Sequence, residues 1–325
     1  MEEKVETKAE NVADAPSAQA MFRKNKKQMN IMEKNGLIFV LIILIPVILN
    51  FIVFWGGVNI NSIALAFTAK DAETGKEIFS LYHFEKLFRE LKSPTTAVGG
   101  ALITTMKYFI AHLAKIFLCV IIAYFFYKKL PGHQLYKILF YLPAMLPSMV
   151  YITIFKELLS DMGPIFMLLK KLFNYTMPSL FALGNPARTT AVVIFYVMWS
   201  GFGTSMLIYV GAMNRIPNEV LEAAFLDGCG MAREFFQIVM PLIWETFGTY
   251  FLLAFTGIFM ETGPLLYFVG EANRETQTIN YWMFLQVTAG EYNYPSAIGL
   301  FFSVLTVPFV IVSRWLITRI ETVTY

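Results

Sequence analysis

The chain has 325 residues, of which 57% are hydrophobic and only 15% are charged. An average soluble domain carries about 25% charged residues, and a single hydrophobic core stops growing near roughly 250–300 residues. The apolar residues fall in blocks about as long as a bilayer is thick. The composition therefore excludes an ordinary soluble domain and indicates a membrane protein. The small net charge of +3, without a basic stripe, argues against nucleic-acid binding.

The N-terminal tail, residues 1–35, is long, and its first 20 residues are acidic and rich in alanine. No small-residue cleavage site follows the first apolar block, so we expect an uncleaved anchor and no signal peptide. Residues 1–20 are expected to be disordered. Residues 21–34 are expected to form a solvated tail or a short basic helix on the inner membrane surface.

Six apolar blocks predict six transmembrane helices within one domain, residues 36–320. About 20 apolar residues cross the hydrocarbon core as a helix, and a helix satisfies its own backbone hydrogen bonds. The chain is therefore predicted to be an all-α membrane protein, followed by a short tail over 321–325. The predicted spans are residues 36–57, 98–127, 138–155, 189–213, 238–260 and 294–313.

The distribution of Lys and Arg predicts that both termini lie in the cytoplasm. An even number of spans puts the termini on one side, and basic residues accumulate on the cytoplasmic side. Two basic clusters without acids flank the predicted inner ends of the spans; they are Arg23, Lys24, Lys26 and Lys27, and Lys128, Lys129 and Lys137.

The sequence contains no constellation that predicts an enzyme or a metal site. Cys119 and Cys229 are far apart, and His83, His112 and His133 are not within ligand spacing of one another. No G-x-x-x-x-G-K-[ST] run occurs, so we expect no ATP-binding site and no cofactor in this chain.

One inner loop, residues 214–236, differs from the other loops in composition. Its motif segment, IPNEVLEAAFLDGCGMAREFFQIVMP over 216–241, is called the elbow below. Pro217 suits the start of a short helix with acids in its first turns, and Gly228 suits its end. A second helix is predicted from Met231 into the fifth span. A short helix with a small apolar face is suited to docking in a groove on another protein.

The elbow resembles the cytoplasmic loop of integral membrane subunits of binding-protein-dependent ABC importers. That family carries E-A-A, three residues, G, nine residues and I-x-L-P. The matching positions here are Glu222, Ala223, Ala224, Gly228, Ile238 and Pro241, with Met240 where Leu is usual. Asp227, with Ile216–Pro217 upstream, is similar to the subgroup that imports sugars and oligosaccharides. Residues 60–67, 79–88 and 129–148 resemble other family segments, so the resemblance covers about residues 36–320.

The resemblance implies a type I importer permease fold in a bacterial cytoplasmic membrane. Implied partners are a homologous second permease, as in maltose-type systems, two ATPase subunits that hold ATP and magnesium, and an extracellular solute-binding protein that delivers a sugar. Glu222 and Asp227 would contact the ATPase. Ala223, Ala224 and Gly228 would allow close approach and bending, and Pro241 would set the angle to the fifth span. A permease for peptides or phosphorylated polyols is the alternative within the family.

The substrate path is predicted near the middle of the fourth and fifth spans, where polar and aromatic side chains that suit a sugar occur. Its candidates are Trp199, Phe202, Thr204 and Tyr250, each with ordinary packing as the alternative.

Charged or titratable groups within spans are rare. Lys107 is expected to reach the outer surface, whereas Lys115 needs a polar partner such as Glu245. A proton-coupled secondary transporter would use such groups and is the alternative from another class.

Overall fold

The computed structural model describes most of the chain between its two tails. Residues 1–34 of the predicted N-terminal tail, with its basic cluster, and the C-terminal tail over 321–325 lie outside the described residues. The chain divides into two compact units, residues 1–62 and 63–325. The described residues are 35–36, 38–70, 76–160, 162–173, 186–260, 262, 268 and 276–319.

The first unit contains most of helix α1, which runs Ile38–Ala66. The segment Phe51–Gly56 is a π-helical turn, and Phe51 stacks on Trp55 with ring centroids 4.7 Å apart. Every described side chain from Ile38 to Trp55 is exposed. A helix that is apolar all round suits a lipid environment. The helix was predicted to end at Gly57, but Gly57 keeps helical backbone angles and no proline follows within the helix.

The described part of the second unit consists of helices, their connections and one short strand pair. Strand β1 (Thr68–Lys70) pairs antiparallel with β2 (Glu77–Phe79), and Thr68 lies opposite Phe79. The helices are α2 (Tyr82–Leu91), α3 (Ala97–Tyr127), α4 (His133–Met145), α5 (Ser148–Leu159), α6 (Pro164–Phe173), α7 (Pro186–Met213), α8 (Asn218–Leu226), α9 (Met231–Leu242), α10 (Trp244–Thr256), α11 (Ile279–Thr288) and α12 (Asn293–Thr318).

Among the described residues, four helices are long and apolar enough to cross a membrane: α1, α3, Thr189–Met213 of α7, and α12. Two bent pairs pass the same test together, α4 with α5 and α9 with α10. The number of spans is six if each bent pair is one span. The all-α class predicted from the sequence is confirmed.

The span predicted over 138–155 is broken, because α4 and α5 meet at an angle of 118°. The break falls at Leu146, whose backbone is extended with φ −93 and ψ 145. Leu146 precedes Pro147, and the proline ring disfavours a helical conformation in the residue before it. Pro143 lies inside α4 without ending that helix.

The span predicted over 238–260 is also bent, by 74° between α9 and α10. Ile243 marks the break, with φ −98 and ψ 9. Pro241, two residues earlier, has no N–H to donate to the carbonyl of Gln237. A π-helical turn at Phe235–Val239 directly precedes it, so backbone hydrogen bonding is irregular on both sides of the proline.

Helix α3 is the central helix of the second unit, since it packs against α2, α4, α7, α10 and α11. It begins at Thr96, whose hydroxyl accepts a hydrogen bond from the Gly99 amide at 3.1 Å. Its 31 residues correspond to a length of about 46 Å. This one helix is therefore longer than the hydrocarbon core of a bilayer is thick, which is about 30 Å.

Helices α4 and α7 approach closely at Gly203. A Cβ atom at this position would lie 2.9 Å from the Phe140 carbonyl oxygen and 3.1 Å from the Ala144 Cβ. Glycine in this helix interior is unfavourable for the backbone by roughly 0.5–1 kcal/mol, and the contact with α4 accounts for its presence.

Gly203→Ala is expected to destabilise the protein by about 1–3 kcal/mol, because the added carbon overpacks the contact between α4 and α7. Gly211→Ala is the matched control in the same helix, since nothing lies within 4 Å of its built Cβ. The control should be neutral or slightly stabilising. Thermal unfolding of the purified proteins in one detergent compares them, and equal midpoints would contradict the predicted contact.

Three elements meet at the carbonyl oxygen of Thr68 in β1. His83 of α2 donates to this oxygen from Nε2 at 3.1 Å, and Asn293 of α12 donates from Nδ2 at 2.8 Å. Burial lowers the pKa of His83 below 6.5, and the nearby Lys86 ammonium lowers it further, while the Thr68 carbonyl partly opposes both. The imidazole is therefore neutral in the folded protein at neutral pH.

Stability should fall as the pH drops below 6.5, the ordinary pKa of histidine. Between 6.5 and the lower folded pKa, the unfolded chain takes up a proton that folded His83 does not, so protonation favours unfolding. His83→Gln keeps a donor for Thr68 and removes this titration. Unfolding midpoints measured on both sides of this pH range should depend less on pH in the variant; identical pH profiles would contradict the assignment.

Candidate functional site

The elbow contains a short helix that ends in a Schellman motif. The Gly228 amide donates to the Phe225 carbonyl at 3.0 Å, and the Cys229 amide donates to the Ala224 carbonyl at 2.9 Å. Gly228 has φ +72, the left-handed conformation that glycine adopts without steric cost. At the other end, Pro217 precedes the first helical residue and leaves the chain extended at ψ 136. Local sequence chemistry therefore sets both ends of α8.

The outward face of α8 is both acidic and apolar. Glu222 and Ala223 are exposed, whereas Ala224 packs inward and is buried. The predicted pair of small residues is thus divided between two faces of the helix. Phe225 and Leu226 are 79% and 85% exposed. The sequence reasoning missed these two as surface residues, although two large apolar side chains beside Asp227 in a polar loop were a readable signal.

A buried carboxylate joins the elbow to the end of α3. Glu234 of α9 is 7% exposed. Lys128 donates to its two oxygens at 2.8 and 3.0 Å, and the Tyr124 hydroxyl donates to Oε1 at 3.1 Å. The same hydroxyl lies 3.2 Å from the Met231 carbonyl, and the Tyr124 ring packs on Phe235 with centroids 5.0 Å apart. We call the contact of Glu234 with Lys128 and Tyr124 the Glu234 link.

From the sequence, Lys128 was expected only to help orient the protein in the membrane, and Glu234 was given no role. The two residues are 106 positions apart, so no local spacing connects them. A cavity of about 460 Å³ lies between α8 and the Glu234 link, lined by Lys128, Asn218, Leu221, Glu222, Phe225, Leu226 and Glu234.

Two of the predicted substrate-path residues, Phe202 and Tyr250, belong to one hydrophobic cluster, whereas Trp199 packs against another. Trp199 packs edge-on to Tyr151 in an aromatic cluster, and Phe202 is buried against Phe140. Tyr250 packs on Tyr209 with centroids 5.2 Å apart. Thr204 is exposed on α7.

Lys115 is buried beside a glycine of the fourth span. A Cβ built on Gly201 would lie 2.7 Å from the Lys115 ammonium nitrogen, so the lysine occupies the space that the missing side chain leaves. Glu245, suggested as its partner, is exposed in the first turn of α10. Lys107 is exposed, in agreement with a side chain that reaches out of the bundle.

A second cavity, of about 180 Å³, lies between α3 and the end of α10. Tyr108 and His112 give it polar character within an otherwise apolar lining. His112 in an apolar span was the sequence signal for this site. The lining residues are Tyr108, Phe109, His112, Leu253, Ala254, Gly257, Ile258 and Met260.

A third cavity, of about 480 Å³, lies where α11 meets the start of α3, at the end of the bundle opposite the elbow. It is lined by Ala97, Gln277, Trp282, Leu285, Gln286, Thr288 and Ala289. In the part of the chain that the structure describes, no group of three or more His, Cys, Asp or Glu side chains is arranged to hold a metal ion.

Comparison with known proteins identifies the family. The model of the family described as "Binding-protein-dependent transport system inner membrane component" matches residues 115–322, which is more than half of the chain. The chain belongs to this family. It is accordingly a multi-pass membrane protein, and the family match includes the whole elbow, the Glu234 link and the fourth, fifth and sixth predicted spans.

Similar sequences include maltose/maltodextrin transport system permease proteins. The protein MalF of Salmonella typhimurium is 36% identical over 118 residues, and MalF of Escherichia coli strain K12 is 34% identical over the same length. These alignments cover 36% of this chain and 22% of each relative. The chain thus matches less than a quarter of the length of these relatives.

Solved structures show the same fold. A chain in the crystal structure of a bacterial ABC transporter involved in the import of the acidic polysaccharide alginate superposes with a TM-score of 0.72 at 18% identity, covering 91% of this chain and 99% of that chain. A second structure of a bacterial alginate ABC transporter, in complex with an alginate pentasaccharide-bound periplasmic protein, matches equally well. The predicted importer permease fold is confirmed.

Gly228→Ala is expected to loosen α8, because a side chain in the left-handed conformation costs roughly 1–2 kcal/mol. Amide hydrogen exchange in α8 should accelerate about tenfold. Gly230→Ala is the control: Gly230 has φ −73, and nothing lies within 4 Å of a Cβ built on either glycine. Unchanged exchange in Gly228→Ala would contradict a role of Gly228 in ending the helix.

Proposed function

We propose that this chain is the permease subunit of an ATP-driven importer of sugars, and that its substrates are oligosaccharides. The elbow is the observation that carries the proposal. It presents Glu222, Phe225 and Leu226 outward on a helix that a Schellman motif ends at Gly228. The maltose and maltodextrin permeases among the relatives support a carbohydrate substrate rather than a peptide or a phosphorylated polyol.

In this proposal α8 docks into a groove on a cytoplasmic ATPase subunit. Phe225 and Leu226 supply the apolar contact, because side chains this exposed gain the most from removal from water. Glu222 and Asp227 pair with basic groups at the rim of the groove. Ala223 allows close approach of the backbones, and Pro241 fixes the direction in which α9 leads into α10.

The complete transporter would contain a second, homologous permease, two ATPase subunits and an extracellular solute-binding protein. ATP and magnesium would bind to the ATPase subunits, and this chain would catalyse no reaction. The elbow and both termini would face the cytoplasm of a bacterial cell, with the protein in its inner membrane. Closure of the ATPase subunits on ATP would displace the docked α8 helices and switch the pore between inward-open and outward-open states.

The substrate path would pass the cavity between α3 and α10. Tyr108 and His112 offer an aromatic ring and an imidazole to a sugar there, which is the combination of an apolar surface and a few polar groups that sugar sites use. Of the four substrate-path residues predicted from the sequence, Thr204 is the best suited to line the path, because it is exposed on α7. Trp199, Phe202 and Tyr250 would act by supporting the surrounding helices.

Glu222→Lys is expected to leave the protein in the membrane and to reduce recovery of the ATPase about tenfold or more, because like charges across an interface cost several kcal/mol. Glu291→Lys is an equal charge reversal at an exposed residue of the opposite end of the bundle. Co-purification from membranes with matched permease levels measures the effect. Equal ATPase recovery in both variants would overturn the assigned role of Glu222.

Co-purification from native membranes, followed by an ATPase assay with candidate binding proteins and glycans, tests the function as a whole. Recovery of a second permease and an ATPase, with hydrolysis stimulated by one loaded binding protein, would support the proposal and identify the sugar. A chain that recruits no ATPase and moves solute with a proton or sodium gradient would refute it.

A further inference from the structure

The buried attachments of the elbow lie toward its two ends. Ile216 is 5% exposed where the chain leaves α7, and Glu234 and Phe235 are 7% and 8% exposed in α9. Among the residues of α8 itself, all of which the structure describes, only Ala224 is buried. A cavity of about 460 Å³ also separates α8 from the Glu234 link. Leu221 of α8 also packs against the core cluster that contains Ile216 and Phe235. A force on α8 therefore reaches the bundle through this packing and through the attachments at the two ends of the elbow.

The attachment at Glu234 and Phe235 contains a charge pair, so it depends on the relative orientation of the groups that form it. Two Lys128–carboxylate contacts and the Tyr124 hydroxyl constrain the position of Glu234. Its side chain is 9% exposed and that of Lys128 is 28% exposed, so water screens the pair only in part. Loss of either charge would leave the other poorly compensated, which makes the contact more specific than apolar packing.

The partner element of this attachment is α3, the central helix. Tyr124 lies in the last turn of α3, and Lys128 caps its end. Four turns earlier, Tyr108 and His112 of the same helix line the cavity between α3 and α10. One continuous helix thus carries the Glu234 link at its end and the cavity wall in its middle.

We propose that Glu234 is a positioning residue that couples movement of the elbow to α3, and through α3 to the cavity wall. This inference rests on the proposed transport function. In the intact protein the Lys128–Glu234 pair makes α3 follow α8 when a partner displaces it. Without the pair, α8 still docks on its partner, but α9 moves relative to α3 and the cavity wall responds less.

The test uses the complete transporter in proteoliposomes, with maltodextrin as the first probe substrate and the ratio of sugar imported to ATP hydrolysed as the readout. The variants are Glu234→Gln, Lys128→Met and the double exchange Glu234→Lys with Lys128→Glu. Controls are Glu291→Gln and Lys129→Gln, because both residues are exposed charges outside α8 and outside the Glu234 link. ATPase recovery on purification is measured for every protein.

Each single variant should keep normal ATPase recovery and lower the import ratio about tenfold, the size of a typical coupling energy between sites. The double exchange should restore most of the ratio, since it rebuilds the pair with reversed signs. The controls should match the unmodified protein. Rescue by charge exchange distinguishes positioning from a general loss of structure, because a merely destabilised protein would not regain coupling.

The inference is wrong if Glu234→Gln imports sugar at the unmodified ratio, or if its defect is a loss of ATPase recovery that the double exchange does not repair. Failure of the proposed function gives a different result, namely that the unmodified protein binds no ATPase and hydrolysis drives no import of any sugar. The two failures are therefore distinguished by the unmodified sample in the same experiment.

Discussion

A helix that crosses a hydrocarbon layer has to satisfy its backbone hydrogen bonds without water. This constraint explains where the protein departs from straight helices. The sharp breaks at Leu146 and Ile243 both lie beside a proline, which removes a donor in any case. The elbow follows the same rule outside the spans, since a Schellman motif pairs the terminal carbonyls of α8. At these three places in the described residues, local sequence chemistry thus accounts for the departure from a regular helix.

Glycine contacts determine how closely the remaining helices pack. Gly203 brings α7 against the backbone of α4, and a Cβ on Gly248 would overlap the side chain of Ile317 in α12. Gly201 has a different effect, because the space it leaves is filled by the Lys115 side chain. Helices in lipid associate through this kind of close packing rather than through a hydrophobic effect. Gly203 and Gly248 thus allow close contacts between helices, while Gly201 leaves space for the buried Lys115 side chain.

Local features of the protein could be predicted from the sequence, and contacts between distant segments could not. The bounds of α8 and the left-handed Gly228 follow from hydrogen bonds within a few residues of each other. The bend at Leu146 has a local cause too, but the prediction treated 138–155 as one span because hydropathy ignores backbone direction. The Glu234 link joins segments 106 positions apart, and the cavity around His112 depends on the packing of α3 against α10. The sequence marks His112 as unusual within an apolar span, but it does not show which helix faces it, and nothing local in the sequence pairs Glu234 with Lys128.

The exposed pair Phe225 and Leu226 has a consequence for the life of the protein in the cell. Large apolar side chains on an aqueous face are recognised by chaperones and proteases whenever no partner covers them. The pair is exposed in the single chain, and docking of α8 as proposed would conceal it. The amount of protein in the membrane would then follow the supply of its partner rather than its own rate of synthesis, so that subunit stoichiometry is set by degradation of the excess.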